Sequence, residues 1–205
     1  MNLTVAHHCR ILDNCIYKDG RLILESPGTA FAEFSETAYR HFQLNYPKFH
    51  KMDHLSKLGL LASDILLSNN EISYNLNPET TGVIFSNRNS SLDTDLKYHS
   101  MLRSGVASPA VFVYSLPNIV IGEICIRNGF KGENTFFISD RYDIPVQVNY
   151  INQLFKENII DACICGWLEL LGENYEAFLY LAVKNGTDEL QPHQVDTINA
   201  LYHHL

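Results

Sequence analysis

Residues 159–167 read IIDACICGW, and seven of these nine residues are hydrophobic. A run this short and this apolar predicts a β-strand that is buried on both faces of a sheet. Residues 80–86 (TTGVIFS), 134–139 (NTFFIS) and 176–184 (EAFLYLAVK) have the same character. Residues 3–12 predict a further strand at the amino terminus. The sequence therefore predicts a central sheet.

Helical patterns separate these strands. The first follows Pro47 and places hydrophobic residues at spacings of three and four, which gives one apolar stripe. Another begins near Asp143, a good N-cap, with Pro145 in its first turn. A last helix is expected from Pro192 to about Tyr202. Alternation of strands and helices predicts an α/β fold with a largely parallel or mixed central sheet and helices on both faces. The stripe of the first helix consists of Met52, Leu55, Leu58, Ala62, Ile65 and Leu66.

The overall composition predicts one domain that covers residues 1–205. Of the 205 residues 46% are hydrophobic, and no tract of biased composition interrupts them. The net charge is -8 with scattered basic residues, which argues against nucleic acid as a partner. The amino terminus lacks the pattern of a secretory signal, and no apolar run reaches the roughly 18 residues of a membrane span. We expect a soluble, cytoplasmic protein without a membrane partner.

The cysteines and the first histidines do not form a metal motif. No C-x-x-C pair occurs among the five cysteines, and Cys163 and Cys165 are expected to fill core space on one face of a strand. His7 and His8 are adjacent on a predicted strand, so their side chains are expected on opposite faces. We therefore predict no metal site. Residues 13–14 and 18–21 carry turn chemistry and predict a hairpin after the first strand.

Four stretches in sequence order carry a resemblance to a known family. They are residues 46–63 (YPKFHKMDHLSKLGLLAS), 108–118 (SPAVFVYSLPN), 122–132 (GEICIRNGFKG) and 161–169 (DACICGWLE). They resemble the N-terminal half of the β-ketoacyl-(acyl carrier protein) synthases of the thiolase-like superfamily, although Trp167 replaces a glycine of the family pattern. The second stretch is the most specific. The resemblance implies a three-layer thiolase-like half domain.

The same resemblance implies that the catalytic nucleophile is missing. The family places a cysteine about nine residues after the glycine that matches Gly132, and this position is Arg141. Its neighbours Ser139 and Asp140 are not cysteines either, and neither a guanidinium nor a carboxylate forms the acyl thioester of the family's reaction. The histidines of the family's C-terminal half are also absent. We expect no activity from the chain alone, and no cofactor.

An acyl or pantetheine pocket is the remaining site that the resemblance implies. Its expected lining is Phe112, Ser115, Asn118 and Arg141. A plainer interpretation is that Asp143 only caps a helix and that Arg141 fills the site and pairs with Asp140 or with an acid of a partner.

Three functions are compatible with these observations. The first is a non-catalytic accessory subunit, like a chain length factor, that pairs with a competent ketoacyl synthase in fatty-acid-like, polyketide or aryl polyene biosynthesis. The second is a free-standing homodimer that binds acyl chains or acyl carrier protein. The third and weakest is an acyltransferase with a relocated nucleophile, Ser139 or a cysteine. A carrier protein is usually acidic, and Arg127, Lys131 and Arg141 are the nearest candidates for contacting it.

Overall fold

A computed structural model describes residues 2–68, 76–184 and 190–203. The described residues form one mixed sheet covered by helices. The strands are β1 (Leu3–Leu12), β2 (Cys15–Lys18), β3 (Arg21–Glu25), β4 (Thr81–Asn87), β5 (Asn134–Ile138), β6 (Ala162–Leu171), β7 (Asn174–Lys184) and β8 (Gln191–Pro192). The helices are α1 (Phe31–His41), α2 (His54–Leu67), α3 (Leu92–Arg103), α4 (Pro109–Phe112), α5 (Ile119–Asn128), α6 (Ile144–Lys156) and α7 (Val195–His203), with a 3₁₀ helix at Pro47–Lys51.

The sheet is mixed, as predicted. Its strands lie in the order β3-β2-β1-β7-β6-β4-β5, and β8 pairs with β1. Strand β4 pairs in parallel with both β5 and β6, whereas the other pairs are antiparallel. All seven residues of β4 are buried, but β5 lies at the edge of the sheet and is only half-buried. The carboxyl ends of β4 and β5 therefore meet at one edge of the parallel part.

Helices cover both faces of the sheet and give the predicted three layers. Helices α1, α2 and α5 pack on one face, while α6 and α7 pack on the other. Side chains of β6 alternate between the two cores, with Ile164 and Leu168 in the first and Cys163, Cys165 and Trp167 in the second. Both cysteines are fully buried, which confirms their expected role in packing.

At two positions of the stretches quoted above only glycine fits, because another segment of backbone lies very close. A Cβ atom at Gly166 would lie 1.9 Å from the carbonyl oxygen of Phe178 on β7, and the residue has φ +147°. A Cβ atom at Gly132 would lie 2.5 Å from the carbonyl oxygen of Thr81. Neither position can accept another residue without a backbone shift. Gly132 thus lets the chain enter β5 directly against β4.

The structure differs from the predicted elements in several places. Helices α1 and α3 were not predicted, although the buried residues Phe31, Phe34 and Ala38 of α1 have the i, i+3, i+7 spacing of an amphipathic helix. Strand β6 begins at Ala162 rather than Ile159, because the amide of Ile159 bonds to the carbonyl of Leu154 in the turn after α6. Helix α7 begins three residues after Pro192, since Gln191–Pro192 pairs with β1.

The predicted hairpin after the first strand is confirmed. Asp13 and Asn14 have positive φ between β1 and β2, as do Asp19 and Gly20 between β2 and β3, which is the backbone of type I′ turns. Within the three described ranges, no helix is both long and apolar enough to cross a membrane.

Candidate functional site

The connection between β5 and α6, residues 138–143, is called the elbow here. It leaves the sheet beside the end of β4, where the amide of Ser139 donates to the carbonyl of Asn87 at 2.9 Å. Helix α6 then begins with Asp143 as its N-cap, and the carboxylate accepts from the amide of Val146 at 3.1 Å. The predicted cap is therefore confirmed. Ligands of open α/β sheets bind outside the carboxyl ends of parallel strands, which is where the elbow lies.

Polar side chains line the cleft at the elbow. Its volume is about 440 Å³, and Ser139, Asp140, Arg141 and Asp143 form its walls. Arg141 is exposed, and none of the ion pairs between described residues includes it. Its expected pairing with Asp140 is therefore not observed. A guanidinium in this position can hold an anion but cannot accept an acyl group.

Ser139 is not arranged as a nucleophile. Its hydroxyl donates to the backbone carbonyl of Arg141 at 2.8 Å, and no imidazole in the described part of the chain is hydrogen-bonded to it. A serine needs an adjacent base to attack a carbonyl. The geometry gives Ser139 a local role in fixing the turn.

Hydrogen bonds between buried side chains attach the elbow to the core. The hydroxyl of Tyr142 donates to Oε1 of Gln147 at 2.7 Å, and Nε2 of Gln147 donates to the carbonyl of Gly166 at 3.0 Å. The Tyr142 ring packs near Trp167 with centroids 5.8 Å apart, and burial raises its pKa well above the usual value. The sequence reasoning missed this chain of bonds. Gln147 lies three residues after Ile144 and four before Ile151, and that spacing places it on the buried stripe of α6.

A smaller cavity adjoins the elbow. Its volume is about 230 Å³, and its walls include the apolar Phe137, Ile138 and Val146 together with the buried polar Ser86 and Gln147. Ser139 and Asp143 line both this cavity and the cleft at the elbow. A space of this size accommodates a short group rather than a long acyl chain.

The buried cysteines do not offer a replacement nucleophile. Cys9, Cys163 and Cys165 are fully buried. Burial raises the pKa of the Cys9 thiol and that of the Cys163 thiol far above neutral pH. The reactive form of cysteine is the thiolate, so both remain protonated and inaccessible.

The other residues of the predicted pocket, Phe112, Ser115 and Asn118, belong to α4 and to the segment between α4 and α5. Phe112 is 58% exposed on α4 and contacts Tyr98, with ring centroids 5.5 Å apart. Ser115 donates to the carbonyl of Phe112, and Asn118 directly precedes α5. The cleft at Arg141 is lined by elbow residues and includes none of Phe112, Ser115 and Asn118.

Two of the three basic candidates for a carrier protein are already neutralised. Arg127 donates to Asp64 at 2.7 Å, and its guanidinium lies 5.0 Å from the ring of Tyr46. Lys131 pairs with Glu79 at 2.6 Å. Only Arg141 keeps an uncommitted charge among the three.

His7 and His8 pair with residues of opposite cores, Leu181 of the first and Tyr180 of the second, as alternation on a strand predicts. The pairing of β1 with β7 shifts register between Val5 and His7, and both imidazoles reach one carboxylate. Nδ1 of His7 lies 2.8 Å and Nδ1 of His8 3.6 Å from Asp19. Among the described residues, this cluster included, no group of three or more histidine, cysteine or carboxylate side chains is arranged to hold a metal ion.

Known proteins resemble the chain in structure rather than in sequence. No family model and no curated protein matches it. The ishigamide ketosynthase/chain length factor superposes with a TM-score of 0.66 at 16% identity, over 94% of this chain and 64% of that one. A chain of the Xenorhabdus doucetiae ketosynthase in complex with its chain length factor gives 0.60 at 12% identity, over 98% of this chain and 90% of that one.

A third structure is a type II polyketide acyl-carrier protein in complex with its ketosynthase bound to the hexaketide. It matches with a TM-score of 0.60 at 13% identity, over 90% of this chain and 63% of that one. The chain therefore spans just under two thirds of two of these structures and nine tenths of the Xenorhabdus one. Identities this low establish the fold alone. The chain has the thiolase-like fold of ketosynthases and chain length factors.

Proposed function

We propose that this chain is a non-catalytic accessory subunit that pairs with a competent ketosynthase and acts as a chain length factor does. The observation that carries the proposal is Arg141, which lies at the elbow of a ketosynthase-like fold where the resemblance places the nucleophilic cysteine. The elbow connects β5 to α6 with a proper helix cap, but the side chain it presents cannot form a thioester.

The edge of the sheet supports the pairing. Strand β5 bonds only to β4 among the described strands, and its side chains are half-buried or exposed. Ile138 at its end is 53% exposed, and Val146 on the following helix is equally so. An unpaired edge with apolar flanks is a template for another chain. Burying it against a partner subunit would complete the hydrogen bonding of β5.

The similar solved structures also support the accessory role. Two of them are described as a ketosynthase with its chain length factor, and the third as a ketosynthase with its carrier protein. The pathway is fatty-acid-like, polyketide or aryl polyene biosynthesis. The matched chain of the Xenorhabdus complex is about as long as this chain, because the match covers 98% of this chain and 90% of that one.

A free-standing homodimer that binds acyl groups or a carrier protein is the second candidate. The apolar cavity beside Phe137 favours it, and two copies could meet at β5. The volume of that cavity, about 230 Å³, limits the ligand to a short acyl group. The net charge of -8 of the chain opposes binding of an acidic carrier protein. An acyltransferase with a relocated nucleophile has less support, because the hydroxyl of Ser139 donates to a backbone carbonyl and three of the five cysteines are fully buried.

The test begins with capture of the tagged chain from its native lysate and identification of what binds. The proposal expects a ketosynthase with an intact cysteine, which is then produced together with this chain and examined by sedimentation. A one-to-one complex that condenses acyl units faster than the ketosynthase alone supports an accessory role. A stable homodimer that binds no ketosynthase, but binds an acyl group or carrier protein, supports the second candidate instead.

A further inference from the structure

The exposed hydrophobic side chains of this protein are concentrated in one segment. Helices α3 and α4 with their connection and the turn after α4, residues 92–116, form what we call the arm. Among the described residues, 12 large hydrophobic side chains are exposed, and seven of them belong to the arm. They are Leu92, Leu96, Leu102, Val106, Phe112, Val113 and Leu116.

The middle of the arm has no core of its own. None of residues 95–113 is buried, although ten of these 19 residues are hydrophobic, a higher proportion than the 46% of the whole chain. Polar loops stay exposed because water solvates them, but this composition is that of a segment that packs. A two-helix segment without burial gains little stability in water by itself.

Both ends of the arm are nevertheless firmly attached to the domain. At its start the hydroxyl of Thr94 donates to Asp53 at 2.8 Å, and at its end the hydroxyl of Tyr114 donates to the buried Glu123 at 3.1 Å. Within the arm the rings of Tyr98 and Phe112 touch. The arm is therefore held in one place while its apolar side chains point away from the core.

The size of this surface fits a protein interface. Seven half-exposed large side chains present roughly 600 Å² of apolar surface, the upper end of what a single chain leaves exposed. A standard interface buries about 800 Å² on each partner. The arm with its immediate surroundings is large enough for such an interface.

The charge of the arm decides between a protein, a membrane and a second copy. Residues 92–116 contain Lys97 and Arg103 against Asp93 and Asp95, so the arm itself is neutral in a chain of net charge -8. Two basic residues fall short of the cluster of four to eight that anionic membranes attract. Two copies meeting arm to arm would bring together two bodies of net charge -8, which repel each other. A different protein with an apolar, uncharged surface fits best.

We infer that the arm is the docking element for the ketosynthase subunit, an inference that rests on the proposed function. Phe112 is its main anchor, since a half-exposed aromatic side chain on a fixed helix is the kind of residue that dominates binding energy at interfaces. Leu96, Leu102 and Val113 of the same arm are exposed as well.

The test uses the ketosynthase identified by capture and compares Phe112→Glu with Ile126→Glu. Ile126 is 68% exposed on α5, outside the arm, and is a matched control for placing a charge on an exposed hydrophobic position. We expect Phe112→Glu to weaken the complex at least about 100-fold and Ile126→Glu to change it by less than about threefold. Circular dichroism should show that both variants fold like the parent protein.

Hydrogen exchange provides a second measurement that needs no variant. Amides of residues 95–113 should become protected when the ketosynthase binds, whereas amides of α6 distant from β5 should not change. Equal binding by both variants, or no protection of the arm in a complex that does form, would overturn the arm as the docking element and leave the accessory role standing. Failure of the wild-type chain to bind any ketosynthase would overturn both, and an arm-dependent homodimer would assign the arm to a second copy.

Discussion

The hydroxyl of Tyr142 donates a hydrogen bond to Oε1 of Gln147 at 2.7 Å, and this bond joins the elbow to the first turn of α6. Nε2 of Gln147 in turn donates a hydrogen bond to the carbonyl of Gly166 in β6. The position of Arg141 is therefore set by its neighbour in sequence, which is anchored in the core.

Removing this hydroxyl should destabilise the protein without changing its fold. Tyr142→Phe leaves the buried Oε1 of Gln147 without its donor, which costs about 1–2 kcal/mol in the free energy of unfolding. Tyr150→Phe is the control, because its hydroxyl has only long contacts of 3.3 and 3.4 Å in a partly buried place. Denaturant titration of both variants measures the difference. Equal stability of the two would contradict the anchoring role of Tyr142.

Gly166 should accept no other residue. Its Cβ position is 1.9 Å from a backbone oxygen, so Gly166→Ala forces β6 and β7 apart and should cost about 4 kcal/mol or more. Gly122 in α5 has open space around its Cβ position, and Gly122→Ala should be neutral or stabilising by up to about 1 kcal/mol. Thermal melting of the two alanine variants gives the comparison. A cooperative, near-normal transition for Gly166→Ala would show that the strands are not packed as described.

His193 should make stability fall as the pH falls. Its ring is buried between Asn152, 2.7 Å from Nδ1, and the hydroxyl of Tyr180, 3.2 Å from Nε2, and burial lowers its pKa to about 4. The unfolded chain takes up a proton near pH 6.5, whereas the folded chain resists it until about pH 4. The contribution of neutral His193 is thus complete above pH 6.5 and is lost progressively down to pH 4, by up to roughly 3 kcal/mol.

The measurement for His193 is the free energy of unfolding from pH 7.5 to pH 4 for the parent protein and for His193→Gln. The difference between the two curves isolates this residue, because both proteins share all other titrating groups. The parent should lose more stability than the variant across the interval. Parallel curves would mean that His193 is accessible to protons in the folded state.

Thiol labelling should distinguish the accessory role from an enzyme with a relocated cysteine. Cys9, Cys163 and Cys165 are fully buried, while Cys15 and Cys125 are partly exposed. We expect at most two thiols to react in the folded protein at neutral pH and all five after denaturation. Rapid alkylation of Cys163 or Cys165 in the folded state would revive the relocated nucleophile.

The sequence predicts what depends on local pattern and misses what depends on distant contacts. Apolar runs identified β4, β5, β6 and β7, and the chemistry of Asp143 identified the start of α6. The same apolarity placed Ile159 in a strand, although its amide closes the turn after α6. The pairing of Tyr142 with Gln147 was not predictable from hydropathy, because both are polar residues within a buried face.

The arm shows a second limit of prediction from sequence. Its helices carry no single apolar stripe, and Thr94 is the one buried residue of α3. Hydrophobic periodicity identifies a helix only where its apolar residues share one face, and those of α3 do not. Sequence order likewise does not reveal that Phe112 on α4 is 58% exposed or that elbow residues line the cleft at Arg141.

Intact-mass spectrometry of the reconstituted pair tests the central claim most directly. The complex of this chain with its ketosynthase is incubated with acyl-carrier protein carrying an acyl group, and both subunits are weighed. The accessory role predicts the mass of one acyl group on the ketosynthase and none on this chain. An acyl adduct on this chain that survives when the cysteine of the ketosynthase is replaced by alanine would contradict it.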